Sequence, residues 1–307
     1  MIFYNKHFIN NTDIQEVLNT LRFGKLSKGK KLSEFENRLK TFFKSKYCVV
    51  LSNGTAAQIL LSKALGWKKN DNIILSPLTF VSGANSIALS GANPIFVDIK
   101  KEDQNLDPNL VEKKILEYRK TKKKIKAIMV TDYGGLPADW KQFKEISQKY
   151  NIHLINDNCH ALGSKYKKDR SYQLKYADYL IQSFHAVKNI TTGEGGALIT
   201  NDKVVFKKIR DLREHGFKSF HQINSPWDYD IEKPGYNFRL SEMNCALGCS
   251  QIKRINSIIT KRRKISKLYD NFFKNYEYIK TVKIYKNKLI FYHLYPLIIN
   301  FKKFKKN

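Results

Sequence analysis

Short apolar runs alternate with helix-period segments along most of this 307-residue chain. The apolar runs are rich in β-branched residues, whereas the segments between them repeat apolar residues at three- and four-residue spacing. Strands that alternate with helices of about 10–15 residues are typical of βαβ units and of a doubly wound, mostly parallel sheet. We therefore predict an α/β fold. The predicted strands span 47–51, 72–75, 94–97, 127–131, 153–156, 179–182 and 196–200, and the predicted helices include 55–65, 81–90, 109–119 and 140–150.

The last quarter of the chain has a different pattern. A basic, helix-period run of about 25 residues follows Lys253, and two β-like segments, 280–285 and 289–299, come after it. We expect a large α/β domain over residues 1–240 and the start of a smaller C-terminal domain over residues 241–307. The sheet should place its ligand-binding loops at the carboxyl ends of the strands.

The composition is strongly basic, with 56 Lys+Arg against 27 Asp+Glu and a formal net charge of +29. The lysines are spread over the whole chain, and no zinc-finger or RNA-binding signature accompanies them. Net charge bears on non-specific binding and on attraction of anionic ligands, and it does not specify a fold. We expect an attraction for a doubly anionic, nucleotide-linked substrate and no nucleic-acid partner, although a basic nucleic-acid-binding protein remains an alternative.

Targeting and redox features predict a cytoplasmic protein. The N terminus lacks the basic and apolar regions of a signal peptide, and the most apolar stretch, 289–301, is shorter than the roughly 20 residues that span a bilayer. We therefore expect no membrane partner.

The four cysteines are too few and too scattered for a disulfide framework. Cys245 and Cys249 lie one helical turn apart, but no further ligand lies at metal-site spacing, so we expect buried packing and no metal.

Three loops at predicted strand ends could carry chemistry. In the first, Gly54 permits a tight turn, and the amides of Thr55 and Ala56 would lie free at a helix N-terminus, where they favour an anion. An ordinary N-capped helix start is the alternative. In the second, Asp157 follows an apolar strand and His160 lies three residues on; Asp157 could hold a ring nitrogen or a cation, or merely cap a helix. His160 could equally be a core histidine.

The third loop places Lys188 between an apolar strand and a glycine-rich turn. Partial burial there would lower the pKa of the lysine and make its amine a nucleophile that can form a Schiff base. The alternative is a surface lysine whose apolar stem packs on the protein. A fourth, weaker segment places the polar Asn237 and Arg239 between aromatic residues just before a helix.

Taken together and in this order, these segments resemble the sugar aminotransferases of the DegT/DnrJ/EryC1/StrS family. The resemblance extends from residue 24 to residue 296, and residues 183–197 carry its most specific motif. It implies the type I fold of pyridoxal-phosphate enzymes, which is aspartate aminotransferase-like, with a mixed, mostly parallel sheet in the large domain. It also implies pyridoxal 5'-phosphate as cofactor and a homodimer as the active unit.

The resemblance assigns a role to each candidate residue. Lys188 would be the Schiff-base lysine and proton shuttle, and Asp157 would pair with the pyridinium nitrogen. Phe80 would stack on one face of the cofactor and His160 on the other. The phosphate would rest on the amides of Thr55 and Ala56 and on the hydroxyl of Ser183, with Asn237 reaching the phosphate of the neighbouring subunit.

The resemblance also implies a reaction. An amino group would pass from L-glutamate to the keto carbon, C4, of a nucleotide-linked 4-keto-6-deoxy hexose. Within the family the motifs are most similar to the PseC-like transaminases of pseudaminic acid biosynthesis, which act on a UDP-linked N-acetylated sugar used for surface glycans. Relatives continue past the segment around His293, so we expect a truncated small domain. A catalytically inactive homologue that binds the cofactor or dimerises is therefore the alternative.

Overall fold

The computed structural model describes residues 6–217, 230–231, 233–284 and 287–303. Its strands, in chain order, are β1 Tyr47–Leu51, β2 Asn72–Leu75, β3 Asn93–Phe96, β4 Ile125–Thr131, β5 His153–Asp157, β6 Lys165–Tyr166, β7 Tyr179–Ser183, β8 Gly196–Thr200, β9 Ile279–Thr281, β10 Lys288–Leu289 and β11 Leu297–Ile299. Its helices are α1 Asn11–Phe23, α2 Lys30–Phe43, α3 Gly54–Ala64, α4 Ser82–Leu89, α5 Pro108–Lys120, α6 Trp140–Tyr150, α7 Gln173–Tyr176, α8 Lys203–Arg213, α9 Glu242–Lys253 and α10 Ile255–Phe273.

A seven-stranded mixed sheet forms the centre of the molecule, with the strand order β1-β8-β7-β5-β4-β2-β3. The five strands from β7 to β3 are parallel, and β8 runs antiparallel to both of its neighbours. The predicted α/β fold with a mixed, mostly parallel sheet is confirmed. All seven predicted strands are present, and their ends differ from the prediction by no more than two residues.

Helices cover both faces of this sheet because successive strand residues point to opposite sides. One face packs Val49, Ile73 and Met129 against α3 and α8. The other face packs Ile74 and Val130 against α5 and α6, and the β1 and β8 side of that face against α2 and α9. Burial on both faces explains why the strands read as almost continuous apolar runs.

Helix α9 lies within the core of the sheet region. Cys245 and Cys249, which are buried, share an apolar cluster with Phe35 of α2 and Val50 of β1. All four cysteines are free thiols, and burial raises the pKa of the Cys249 thiol to about 12, so it is an inert apolar group at neutral pH. Because α9 packs with the large domain, we propose that the domain boundary falls after this helix, later than residue 241.

The C-terminal part continues with the long helix α10 and three short strands. β9 pairs with β11, whereas β10 pairs with β6 of the sheet region. The predicted β segment 280–285 is reduced to β9, and Tyr285 lies outside the described residues. Within the part of the chain that the structure describes, no helix combines the length and the apolar character needed to cross a membrane.

A buried ion-pair cluster ties β10 to the large domain. The ammonium of Lys288, whose side chain is 1% exposed, lies 2.9 Å from Asp139 and 3.7 Å from Asp103. Lys100 pairs with the same two carboxylates. Burial works to raise the pKa of the Asp139 carboxyl, but the hydrogen bond from Lys100 and the charge of Lys288 hold it below its ordinary value.

We predict that Lys288→Met lowers the free energy of unfolding by about 3 kcal/mol, because it leaves buried carboxylates short of a cation. Urea unfolding at pH 7 measures this. Asp139, whose pKa is lowered in the folded state, stabilises the fold above about pH 4 and loses this effect as the pH falls, so the two chains should converge in acid. Lys280→Met, at an exposed lysine of β9, is the control and should change stability by less than about 0.5 kcal/mol. Equal effects of the two variants would contradict the role given to the cluster.

Candidate active site

A cavity of about 930 Å³ opens at the carboxyl ends of the parallel strands, where ligands bind in sheets of this type. Thr131, Asp157 and Ser183 are the last residues of β4, β5 and β7, and all three line it. Seven of the eight predicted site residues lie around this cavity: Thr55, Ala56, Phe80, Asp157, His160, Ser183 and Lys188. A larger hollow of about 1080 Å³ lies at the opposite edge of the sheet and contains none of them.

Asp157 is a buried carboxylate at the end of β5. It is 5% exposed, and Oδ1 accepts a hydrogen bond from the Cys159 amide at 3.2 Å. Oδ2 accepts one from Nε2 of Gln58 at 3.3 Å. Among the described residues no Lys, Arg or His nitrogen lies within ion-pair distance of it. Because burying an unpaired charge is costly, this carboxylate is suited to receive a positively charged N–H from a ligand.

Lys188 is half-buried and reaches the same cavity from the loop after β7. This loop is fixed by backbone hydrogen bonds from Lys188 to His185 at 2.9 Å and from Thr192 to Phe184 at 2.9 Å. The Thr191 hydroxyl accepts a further hydrogen bond from the Gly193 amide. The loop therefore presents one amine to the cavity from a defined backbone position.

The start of α3 corrects one detail of the predicted anion site. Oδ1 of Asn53 caps the helix and accepts a hydrogen bond from the Ala56 amide at 2.8 Å. The sequence analysis expected this amide to be free, and it is not. The Thr55 amide and the Ser183 hydroxyl remain at the cavity wall. Gly54 favours this close approach, because a Cβ atom at this position would lie 3.1 Å from Cβ of Ser183, which is a tight contact.

Aromatic rings form two walls of the cavity. Phe80 lies at the entry of α4, lines the cavity and is 67% exposed. The His160 ring lies 4.5 Å from the His293 ring and 5.9 Å from the Tyr133 ring, measured between centroids. All four rings line the same cavity.

The two histidines of this wall are neutral. Burial lowers the pKa of His160 to about 3, with a smaller contribution from the charge of Lys188. Burial lowers the pKa of His293 to about 2, helped by the neighbouring His160. Nδ1 of each ring is buried and has no hydrogen-bond partner among the described residues.

The structure also separates one predicted residue from the others and adds two. Asn237 is exposed and forms an isolated antiparallel β-bridge with Glu214. It does not line the cavity, although the adjacent Phe238 does. Gln58 was missed by sequence analysis, but its position one helical turn after Gly54 is a signal that it shares the inner face of α3. His293 gave no signal of its chemistry, since it reaches the site from the C-terminal segment.

Comparisons with known proteins show which family and which solved structures this chain resembles. The model of the DegT/DnrJ/EryC1/StrS aminotransferase family matches residues 7–307. A UDP-4-amino-4,6-dideoxy-N-acetyl-beta-L-altrosamine transaminase of Campylobacter jejuni (strain 81-176) is 39% identical over 299 residues, which are 97% of this chain and 77% of the relative.

Two solved structures are also similar. PseC of Helicobacter pylori, an aminotransferase of pseudaminic acid biosynthesis, has 30% identity and a TM-score of 0.88, covering 98% of this chain and 78% of the other. A putative sugar aminotransferase of Streptococcus pneumoniae, in its PLP form, has 29% identity and a TM-score of 0.86, covering 97% and 78%. With a family model along almost its whole length and close relatives above 30% identity, this chain belongs to the DegT/DnrJ/EryC1/StrS aminotransferase family.

Proposed function

We propose that this chain is a pyridoxal-phosphate-dependent sugar aminotransferase. The observation that carries the proposal is that two groups reach one cavity. One is the buried carboxylate of Asp157, which has no ion-pair partner among the described residues, and the other is the amine of Lys188. A protonated pyridine nitrogen supplies the positive charge that this carboxylate lacks. The exposed ring of Phe80 at the cavity is a further feature that fits a flat cofactor.

Each residue has a defined task in this proposal. Asp157 holds the pyridine nitrogen protonated, Phe80 and His160 enclose the ring, and the Thr55 amide and Ser183 hydroxyl bind the phosphate. When bound, the cofactor supplies the electron sink that makes the Cα proton of an amino acid acidic. Nζ of Lys188, which reaches the same cavity, would accept this proton and hold it for return to the cofactor. The neutral histidines add no competing positive charge near Lys188.

The proposed substrates are L-glutamate and a UDP-linked 4-keto-6-deoxy-N-acetyl hexose, aminated at C4 for pseudaminic acid or a related surface glycan. The names of the Campylobacter and Helicobacter relatives support this class of sugar. The net charge of +29 also favours a substrate that carries a diphosphate. A cavity of about 930 Å³ has the size that is typical of sites for cofactors and small ligands.

We predict that the purified chain binds pyridoxal phosphate with a yellow visible band that bleaches when L-glutamate is added. Lys188→Ala should lose this band and all amino transfer, because no other lysine lines the cavity among the described residues. Absorption spectra before and after glutamate measure both effects. Lys126→Ala removes a half-exposed lysine outside the cavity and should leave the band intact. Turnover by Lys188→Ala would disprove the lysine assignment.

We further propose that the active unit is a homodimer in which Asn237 binds the phosphate of the neighbouring site. This residue is exposed and outside its own cavity, which is consistent with a contact to a second copy. Its segment is held in place, because the Phe238 amide donates to the carbonyl of Arg213 and Arg239 pairs with Glu214.

Mixed dimers test this arrangement. Lys188→Ala and Asn237→Ala, each with its own tag, should be nearly inactive alone, and their co-expressed heterodimer should recover about half of the wild-type activity per dimer. The recovery is expected because one of the two sites then combines an intact lysine with an intact partner Asn237. If Asn237 acts within its own subunit, no heterodimer site is intact, and activity would stay at the level of the single variants.

A further inference from the structure

A second buried carboxylate lies directly behind the wall of the cavity. Asp132 follows β4, is 0% exposed and stands between Thr131 and Tyr133, which both line the cavity. Oδ1 accepts hydrogen bonds from the Ala138 amide at 2.8 Å and from Nε1 of Trp140 at 2.9 Å. Trp140 is the first residue of α6, and Ala138 lies two residues before it.

The other oxygen of Asp132 faces the strand ends that carry the site. Oδ2 accepts hydrogen bonds from Nδ2 of Asn158 at 2.8 Å and from the Tyr172 hydroxyl at 2.6 Å. Oδ1 of Asn158 in turn accepts one from Nε2 of Gln182 at 2.5 Å. Asn158 directly follows Asp157, and Gln182 directly precedes Ser183, so this chain of contacts joins the ends of three neighbouring parallel strands.

The backbone adds two further links. The Asp132 amide donates to the carbonyl of Asp157 at 3.2 Å, and the Asn158 amide donates to the carbonyl of Ile181 at 3.0 Å. The Asp157 carboxylate accepts two hydrogen bonds from the described residues, at 3.2 and 3.3 Å, which hold it weakly. Its position therefore depends on the backbone around it, which the contacts of Asp132 and Asn158 define.

The charge of Asp132 is carried by hydrogen bonds alone. No Lys, Arg or His nitrogen of the described residues lies within ion-pair distance of it, and burial raises the pKa of its carboxyl although four donors act in the opposite direction. A well-packed apolar side chain would fill this place at a lower cost in desolvation. The four donors satisfy the Asp132 carboxylate itself, although Oε1 of Gln182 at the far end of the network has no partner among the described residues. A satisfied buried carboxylate of this kind defines one local geometry.

We propose that Asp132 is a positioning residue, which acts through Asn158 to hold Asp157 at the place where it meets the pyridine nitrogen. This role rests on the proposed function. It predicts that the two sides of the Asp132 carboxylate have different effects. Contacts to Oδ2 should govern cofactor binding, whereas contacts to Oδ1 should govern stability.

Two variants that each remove one donor from this carboxylate separate the effects. Tyr172→Phe removes only the hydroxyl that donates to Oδ2, and Trp140→Phe removes the donor to Oδ1 together with part of a fully buried ring. Trp140→Phe should lower Tm more, because it leaves a cavity. Tyr172→Phe should nevertheless weaken pyridoxal phosphate binding more, by about tenfold, and shift the pH midpoint of the visible band. Kd and midpoint are measured without glutamate, under conditions where both variants are folded.

Asp132→Asn should change Kd and the pH midpoint in the same direction as Tyr172→Phe, and by more, because an amide donor replaces an acceptor. If Asp132→Asn does not fold, Tyr172→Phe decides the question. Effects on Kd and midpoint that follow the loss of Tm, with Trp140→Phe the more severe, would overturn the positioning role. A wild-type chain without the visible band would overturn the proposed function and this role with it, whereas a normal wild-type band with equal variants would overturn this role alone.

Discussion

The site depends on one physical constraint. A carboxylate is buried at the carboxyl end of a central parallel strand, and no cation of the described residues balances its charge. Asp157 can remain there because β5 lies between β4 and β7, and their ends present polar groups to the same cavity. The loop after β7 then places Lys188 at this cavity as well. The carboxylate at the end of β5 and the amine in the loop after β7 thus reach the same cavity. In the proposed function the carboxylate meets the pyridine nitrogen and the amine is the nucleophile.

Parts of the chain that are distant in sequence complete the site. The cap at Asn53 uses the Ala56 amide, and Gly54 allows the start of α3 to approach Ser183 closely. The C-terminal segment brings His293 against His160, and the Lys288 cluster attaches this segment to the large domain. The stability of the fold and the geometry of the cavity are therefore coupled through a few buried polar contacts.

The sequence predicted the alternation of strands and helices well, because burial on both faces makes each strand a continuous apolar run. Asp157 could be found because it ends such a run, and Lys188 because it lies between such a run and a glycine-rich turn. The N-terminal helices α1 and α2 were not predicted, although α2 lies within the segment covered by the resemblance. The contacts of Asp132 with Tyr172, and of His160 with His293, join residues that are far apart in sequence. No local pattern shows such pairs. The occupied Ala56 amide, by contrast, is a local contact with Asn53 and corresponds to the N-capped helix start that the sequence left open as the alternative.

The most direct test of this account is ¹⁵N NMR of the chain loaded with pyridoxal phosphate labelled at the ring nitrogen. The account predicts that this nitrogen is protonated at neutral pH in the wild-type chain, because Asp157 supplies the countercharge. It also predicts that Asp157→Asn shifts the resonance toward that of an unprotonated ring. An unprotonated nitrogen in the wild-type chain, or the same resonance in both chains, would contradict the role of Asp157 as the partner of the cofactor.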